Sequence, residues 1–142
     1  MGEITSSMNP NQLNIAAILV AALSTFVIGG LWYSPVLFGH AWMRENKFTD
    51  ADVARGSKVR AFGGSAVLAL IMAVNLAFFL ADAKTTVTWG MTAGALAGVG
   101  WAAASLAIVA LFEQKSWTYI AINAGYLIVS FVVMGAILGA WR

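Results

Sequence analysis

The sequence contains no cysteine and a single histidine, His40. Without cysteine there is no disulfide, no iron–sulfur cluster, no thiol nucleophile and no thiolate metal site. With one histidine, a bis-histidine haem would need a second chain, and no helper ligands stand beside His40. No cofactor and no metal is therefore expected. Charge is scarce too: 10% of the 142 residues are charged, against about 25% in an ordinary soluble domain. Eight basic residues face six acidic ones, for a net charge of +2, and they gather mostly in one loop. That is not the basic stripe of a nucleic-acid-binding protein, and no nucleic-acid partner is expected.

Long apolar runs take the place of charge. Hydrophobic residues make up 61% of the chain and the mean hydropathy is +0.82, more apolar surface than soluble packing hides. Four segments, 13–33, 61–81, 89–111 and 119–141, contain no Lys, Arg, Asp, Glu or His. Roughly 20 apolar residues cross a hydrocarbon core of about 30 Å, so each segment is long enough to span. The runs lack the strict alternation of a barrel strand. The predicted fold is an all-α, polytopic membrane protein, one domain of four transmembrane helices in a bundle, with a cytoplasmic loop at 34–60.

Orientation follows from the basic residues. Arg44, Lys47, Arg55, Lys58, Arg60 and Lys115 lie on one side of the predicted spans, and only Lys84 and Arg142 on the other. By the positive-inside bias the 34–60 loop and the 112–118 turn are cytoplasmic and both termini are outside. The expected location is a bacterial inner (plasma) membrane. Residues 1–13 have no basic residue and carry Glu3, so they lack the basic start of a secretory signal, and the first helix is expected to be retained. Gly2 and Ser6 match a myristoylation pattern, which an outside N-terminus argues against. In the large loop, Thr49 and Asp52 have capping-box spacing and predict a short helix from about Asp50, with Gly56 a point of bending. Arg55, Lys58 and Arg60 would sit at headgroup level and are read as topology determinants.

The stretch "GLWYSPVLFGHAWM" from Gly30 to Met43 packs five ring-bearing residues around a proline. Trp32 and Tyr33 fall at the end of the first span, where amphipathic rings prefer the interface, and Pro35 predicts that the helix ends there. The segment after it is too short to cross the membrane. It is expected along the interface, with Phe38 and Trp42 facing the acyl chains or the bundle. Trp32, Tyr33, Phe38 and Trp42 are candidates for a shallow lipid or apolar-ligand groove, and an interfacial anchor is the plainer reading.

The same stretch carries a resemblance. "LWYSPVLFGHAWM" is similar to the W-Y-S-P-x-x-F-G-x-x-W segment that follows the first span in the membrane family called domain of unknown function 1761. The likeness extends to the glycine-rich third span and to the closing "GYLIVSFVVMGAILGAW". It implies a small four-helix membrane protein and implies no activity.

Within the spans the polar residues are amides and hydroxyls. A proton-coupled transporter or an intramembrane protease would need buried carboxylates or a nucleophile with its base. Neither is present, and an enzyme is not the favoured reading. Asn75 lies about 6 Å from the middle of the second span and Asn123 about 10 Å from the middle of the fourth, at different depths. Asn123, Tyr126 and Ser130 share a helical face. These four are expected to act as interhelical hydrogen-bonding groups, or alternatively as the polar lining of a path. Asn14 to Trp32 and Asn123 to Trp141 also share an Asn start and a Gly-x-Trp end, a weak hint of an inverted repeat.

The third span places Gly90, Gly94 and Gly98 four apart, and a constant 3.6-residue period puts Trp101 and Ser105 on the same face. Gly135 and Gly139 form a second small-residue patch on the fourth span. Both are helix-packing candidates, one patch expected inside the bundle and the other between chains. The expected partners are the lipid bilayer and further copies of the chain in a homo-oligomer. The sequence thus points to a self-associating structural or binding component, with a small-molecule or lipid transporter or channel formed by the oligomer as the alternative.

Overall fold

The structure is a computed structural model that describes residues 13–142. The Gly2–Ser6 pattern and the expectations for the start of the chain lie outside these residues. Every regular element among the described residues is helical: α1 Ile15–Trp32, α2 Gly39–Asn46, α3 Asp50–Arg55, α4 Val59–Phe79, α5 Val87–Phe112 and α6 Trp117–Ala140. Helices α1, α4, α5 and α6 are long and apolar enough to cross a membrane.

Each span starts where the sequence supplies a cap. The Asn14 side chain accepts from Ala17 N at 3.1 Å, Thr86 from Trp89 N at 3.1 Å and Ser116 from Tyr119 N at 3.0 Å. At the head of α4 the Ser57 hydroxyl accepts from Arg60 N at 3.2 Å. Hydropathy alone puts the third and fourth spans at residues 89 and 119, whereas α5 and α6 begin two residues earlier, at Val87 and Trp117. The caps Thr86 and Ser116 explain the difference, because a polar cap starts the helix before the apolar run does. Asn14 is a cap while Asn123 sits inside α6, so the two asparagines that suggest a repeat do different work.

In space the spans follow the order α5, α6, α1, α4, with only a light contact between α4 and α6. Helices α1 and α6 are the inner pair, with 28% of each span buried, against 22% for α4 and 17% for α5. The α1–α4 contact is made of alanine: Ala17 and Ala21 on α1, and Ala69, Ala73 and Ala77 on α4, are all buried in one cluster with Leu76, Leu80, Met134 and Leu138. Small residues four apart let two helix backbones approach, and dispersion between them takes the place of the hydrophobic effect that lipid does not supply.

The α5–α6 contact is made of glycine. A Cβ on Gly90 would lie 2.1 Å from the Gly135 carbonyl oxygen, one on Gly94 2.2 Å from that of Phe131, and one on Gly135 2.0 Å from that of Gly90. On Gly139 it would meet the Thr86 carbonyl oxygen at 2.6 Å, and on Gly98 the Ile128 Cα at 3.1 Å. No described glycine has a positive φ, so these residues provide proximity rather than unusual backbone. The two glycine patches meet each other inside one chain, instead of being divided between an internal and an intermolecular contact.

One expectation for α5 needs correction. Residues Gly98–Ala103 form a π-helical stretch. Burial steps from Gly90 to Gly94 to Gly98 and then by five to Ala103. The wider turn rotates Trp101 and Ser105 off the glycine face, leaving Trp101 66% exposed, with its ring 5.9 Å from that of Phe79.

Between α1 and α4 the chain makes two short helices. The reciprocal Thr49–Asp52 capping box is present at the start of α3, and Gly56 takes an extended backbone that separates α3 from α4. Lys47 and Gln114, with φ of 58° and 60°, close α2 and α5 in the left-handed conformation. In each case the next amide reaches back, Phe48 N to Met43 O and Lys115 N to Ala110 O, both at 2.9 Å, which satisfies carbonyls at the helix end.

Candidate functional site

Pro35 ends α1, and the chain then folds back on itself. Phe38 N donates to Trp32 O and Gly39 N to Ser34 O, both at 2.9 Å, and the Ser34 hydroxyl donates to Leu31 O at 2.7 Å. The return is so tight that a Cβ on Gly39 would stand 2.5 Å from the Tyr33 carbonyl oxygen. That turn sets α2 against the start of α6 and brings the aromatic rings together.

The rings form two groups, joined through the chain at Trp32 and Tyr33. Trp32 lies against Phe38 with centroids 4.8 Å apart, Tyr33 meets Trp42 edge-on at 5.8 Å, and Trp42 meets Phe48 at 5.4 Å. Tyr33 also meets Tyr126 of α6 at 5.4 Å. These are the offset and edge-to-face separations that aromatic quadrupoles favour. The four candidate groove residues divide between these groups, Trp32 with Phe38 and Tyr33 with Trp42, and Trp42 faces the bundle.

Polar atoms fasten both groups to α6. Trp32 Nε1 donates to Ile122 O at 2.8 Å, and the Tyr33 hydroxyl donates to Asn123 Oδ1 at 2.7 Å. Asn123 in turn donates through Nδ2 to Tyr119 O at 3.0 Å. The Tyr126 hydroxyl donates to Thr25 O at 3.1 Å, and the Thr25 hydroxyl to Ala22 O at 2.8 Å. Glycines make the room: a Cβ on Gly125 would be 2.8 Å from Trp32 Cζ2, and one on Gly29 3.3 Å from Tyr126 Cε2. On the rim, the Ser116 hydroxyl donates to Glu45 Oε2 at 2.6 Å, and Lys115 Nζ lies 5.3 Å from the centre of the Tyr119 ring. The arrangement is a clamp that holds the ends of α1 and α2 on the first turns of α6.

Of the four candidate polar residues, Asn123 and Tyr126 belong to the clamp. Ser130 follows one turn further along α6 and is 1% exposed, with a hydroxyl that has no hydrogen-bond partner. Asn75 is elsewhere, on the outward face of α4, its Nδ2 donating to Ile71 O at 2.8 Å. The glycine candidates Gly90, Gly94, Gly98, Gly135 and Gly139 all lie along the α5–α6 contact. Among the described residues, no three side chains of His, Cys, Asp or Glu gather as a metal site would require.

Sequence reasoning passed over Gly29 and Gly125, whose sole signal is that each stands one to four residues from a large aromatic side chain, and it met Gly39 only as part of the W-Y-S-P-x-x-F-G-x-x-W segment. It also passed over Arg142. The Arg142 guanidinium donates to Leu80 O at 2.6 Å and to the Asp82 carbonyl oxygen, at the C-terminal end of α4. A cation there satisfies orphan carbonyls and complements the helix dipole.

The family described as Protein of unknown function (DUF1761) matches residues 16–139, nearly the whole chain. The chain belongs to this DUF1761 family. No curated protein and no solved structure matches it. The segment that carries the resemblance to DUF1761, from Trp32 to Trp42, is the α1–α2 side of the clamp. Its Trp and Tyr bond α6, its Pro ends α1, its Phe and second Trp pack against the first two rings, and its Gly permits the tight return.

Proposed function

We propose that the protein is a structural or binding component of a membrane that assembles with itself and performs no covalent chemistry. The loop between α1 and α4 faces the cytoplasm in this reading, supported by its four basic residues and by Arg60 in the first turn of α4, and both termini are outside. One observation carries it. Asn123 and Tyr126, the polar side chains between α1 and α6, are each turned onto a partner in the same chain, Asn123 onto Tyr33 and Tyr126 onto the Thr25 carbonyl. A permeation path needs polar groups free to exchange partners with water or substrate. Groups fixed in this way act as interhelical ties, which supports a packing role over a path through one chain. The self-associating part of the reading is supported by the two outer helices, whose faces away from the bundle carry polar groups such as Asn75 and Ser105.

The test is native mass spectrometry of protein released from nanodiscs, combined with ion and small-solute leak from proteoliposomes. A defined homo-oligomer and leak no greater than in protein-free vesicles are expected. A bare monomer, or a conductance that Asn123→Leu abolishes, would overturn the reading.

A further inference from the structure

We propose that two copies of the chain pair through the outer face of α4, with Asn75 of one copy hydrogen bonded to Asn75 of the second. This deepens the self-association reading above and rests on it. The starting observation is the place of the amide. Asn75 lies inside the apolar run of α4, seven residues before the first charged residue, Asp82, and it faces away from the bundle. One N–H of its amide is used within its own helix, on the Ile71 carbonyl. Among the described residues no donor reaches its Oδ1. Hydrocarbon offers no partner to such a group, so the surface that covers it must supply one.

The residues around it form a seam. Gly64, Leu68, Ile71, Asn75 and Phe78 follow one another by four, three, four and three, the spacing of a left-handed helix pair. All five are exposed: Leu68 is 61%, Ile71 51% and Phe78 38% accessible, and a Cβ on Gly64 would meet nothing within 4 Å. The inward seam of the same helix, Ala69, Ala73, Leu76 and Leu80, is buried against α1 and α6. At about 100° per residue, Asn75 is about 200° around the helix from Ala73. Thus α4 carries two seams on opposite sides, and the chain fills one of them.

The choice of a second copy follows from the amide and the membrane together. An asparagine amide is both donor and acceptor and is complementary to itself. Copies inserted with one topology run their α4 helices in the same direction, so a two-fold axis along the membrane normal brings Asn75 to its own mate at equal depth. Parallel packing places equivalent seam positions opposite each other, and a single asparagine in such a seam selects register and a two-stranded assembly. Gly64 allows close approach at one end of the seam, and Phe78 fills the other.

The absence of cysteine makes the test direct. Single variants Leu68→Cys, Ile71→Cys and Phe78→Cys on the seam, with Leu23→Cys on α1 and Ile108→Cys on α5 as outward-facing controls, are oxidised in the membrane. Disulfide-linked dimers are expected from the three seam variants and not from the controls. In parallel, Asn75→Leu should lower the dimer affinity about threefold to tenfold by energy transfer between labelled copies, with Asn75→Gln retaining much of it. Helicity of the Asn75 variants should be unchanged, since the hydrogen bond of the side chain lies within its own helix. An oligomer cross-linked through Leu23→Cys or Ile108→Cys but not through the seam would overturn this interface and leave self-association standing. A monomer by both methods would overturn both.

Discussion

Tyr33 and Asn123, ninety residues apart, meet through a 2.7 Å hydrogen bond from the phenolic hydroxyl to the side-chain carbonyl. The bond joins the last residue before the Ser34–Pro35 turn to the second turn of α6, so it fixes where α1 ends relative to its neighbour. Interhelical bonds in membranes are worth about 0.6 kcal/mol on average and up to about 1.7 kcal/mol. Tyr33→Phe and Asn123→Ala should each destabilise the fold by about 1 kcal/mol, and the double variant by less than the sum. The check is a double-mutant cycle on reversible unfolding in mixed micelles, in which full additivity would mean the two residues act independently.

Gly39 is required by closeness rather than by backbone conformation. Its missing Cβ leaves room for the Tyr33 carbonyl oxygen at 2.5 Å and for the Ser34 carbonyl at 2.8 Å, which are backbone atoms that cannot rotate away. Gly39→Ala should cost about 1 to 3 kcal/mol, the range for overpacking a tight contact. It should also separate the Trp32 and Phe38 rings. Gly30→Ala is the control, because a Cβ there meets nothing within 4 Å. Thermal unfolding and tryptophan fluorescence of the two variants would distinguish them.

The four spans are legible in the sequence because each is a charge-free run of bilayer length, and the capping box at Thr49 and Asp52 is legible because its spacing is local. The π-helical stretch at Gly98–Ala103 is not, since a fixed 3.6-residue period cannot anticipate a five-residue step. That missing step is what misplaces Trp101 and Ser105. The Ala69, Ala73 and Ala77 stripe has the same four-residue spacing as the glycines, yet alanine is so common in apolar runs that the spacing carries little signal until Ala17 and Ala21 are seen opposite. The aromatic residues of the clamp stand out by their rarity. Their partners Asn123 and Tyr126 are far away in the chain, and only the pairing of α1 with α6 brings the two groups together.

The α3 cap should be acid-sensitive. Hydrogen bonds from the Thr49 backbone and hydroxyl, followed by the Arg55 guanidinium, hold the Asp52 carboxyl below its usual value. A carboxyl lowered in the folded state contributes stability that is present above the unfolded value and is lost as pH falls through the folded one. Protection of the Thr49 and Asp52 amides, taken relative to their intrinsic exchange rate at each pH, should therefore fall on acidification, ahead of any change in the spans. In Asp52→Asn the protection should already be low at neutral pH and should no longer change with pH.

Arg142 ties the end of α6 to the end of α4 through the Leu80 and Asp82 carbonyl oxygens. Helices α4 and α6 otherwise touch lightly, so this tie carries much of their relation at that end. Charged hydrogen bonds to a helix C-terminus are worth about 1 kcal/mol. Arg142→Gln should lower stability by roughly that amount, and Arg142→Lys by less, because an ammonium keeps the charge but not the two-pronged geometry. Faster exchange confined to Leu80 through Asp82 would locate the loss, and uniform exchange across all four spans would contradict it.

The α5–α6 contact gives the largest expected effect. A Cβ on Gly90 would lie 2.1 Å from the Gly135 carbonyl oxygen, and one on Gly135 2.0 Å from that of Gly90, so each glycine fills the space that its partner lacks. Nothing in such a pair can yield except the backbones themselves, and moving them apart forfeits the dispersion along the whole contact. Gly94 stands one turn further on, where a Cβ would be 2.2 Å from the Phe131 carbonyl oxygen, and Gly94→Leu adds a branched side chain there. Gly90→Ala should destabilise the fold by about 1 to 3 kcal/mol, and Gly94→Leu by more. Because Asn75 lies on the outward face of α4 and takes no part in the α5–α6 contact, a dimer held by Asn75 should survive Gly90→Ala with its affinity unchanged while the unfolding temperature of the protein falls. If Gly90→Ala instead dissociated the dimer at full thermal stability, the glycines would be serving a contact between chains rather than the one within the chain.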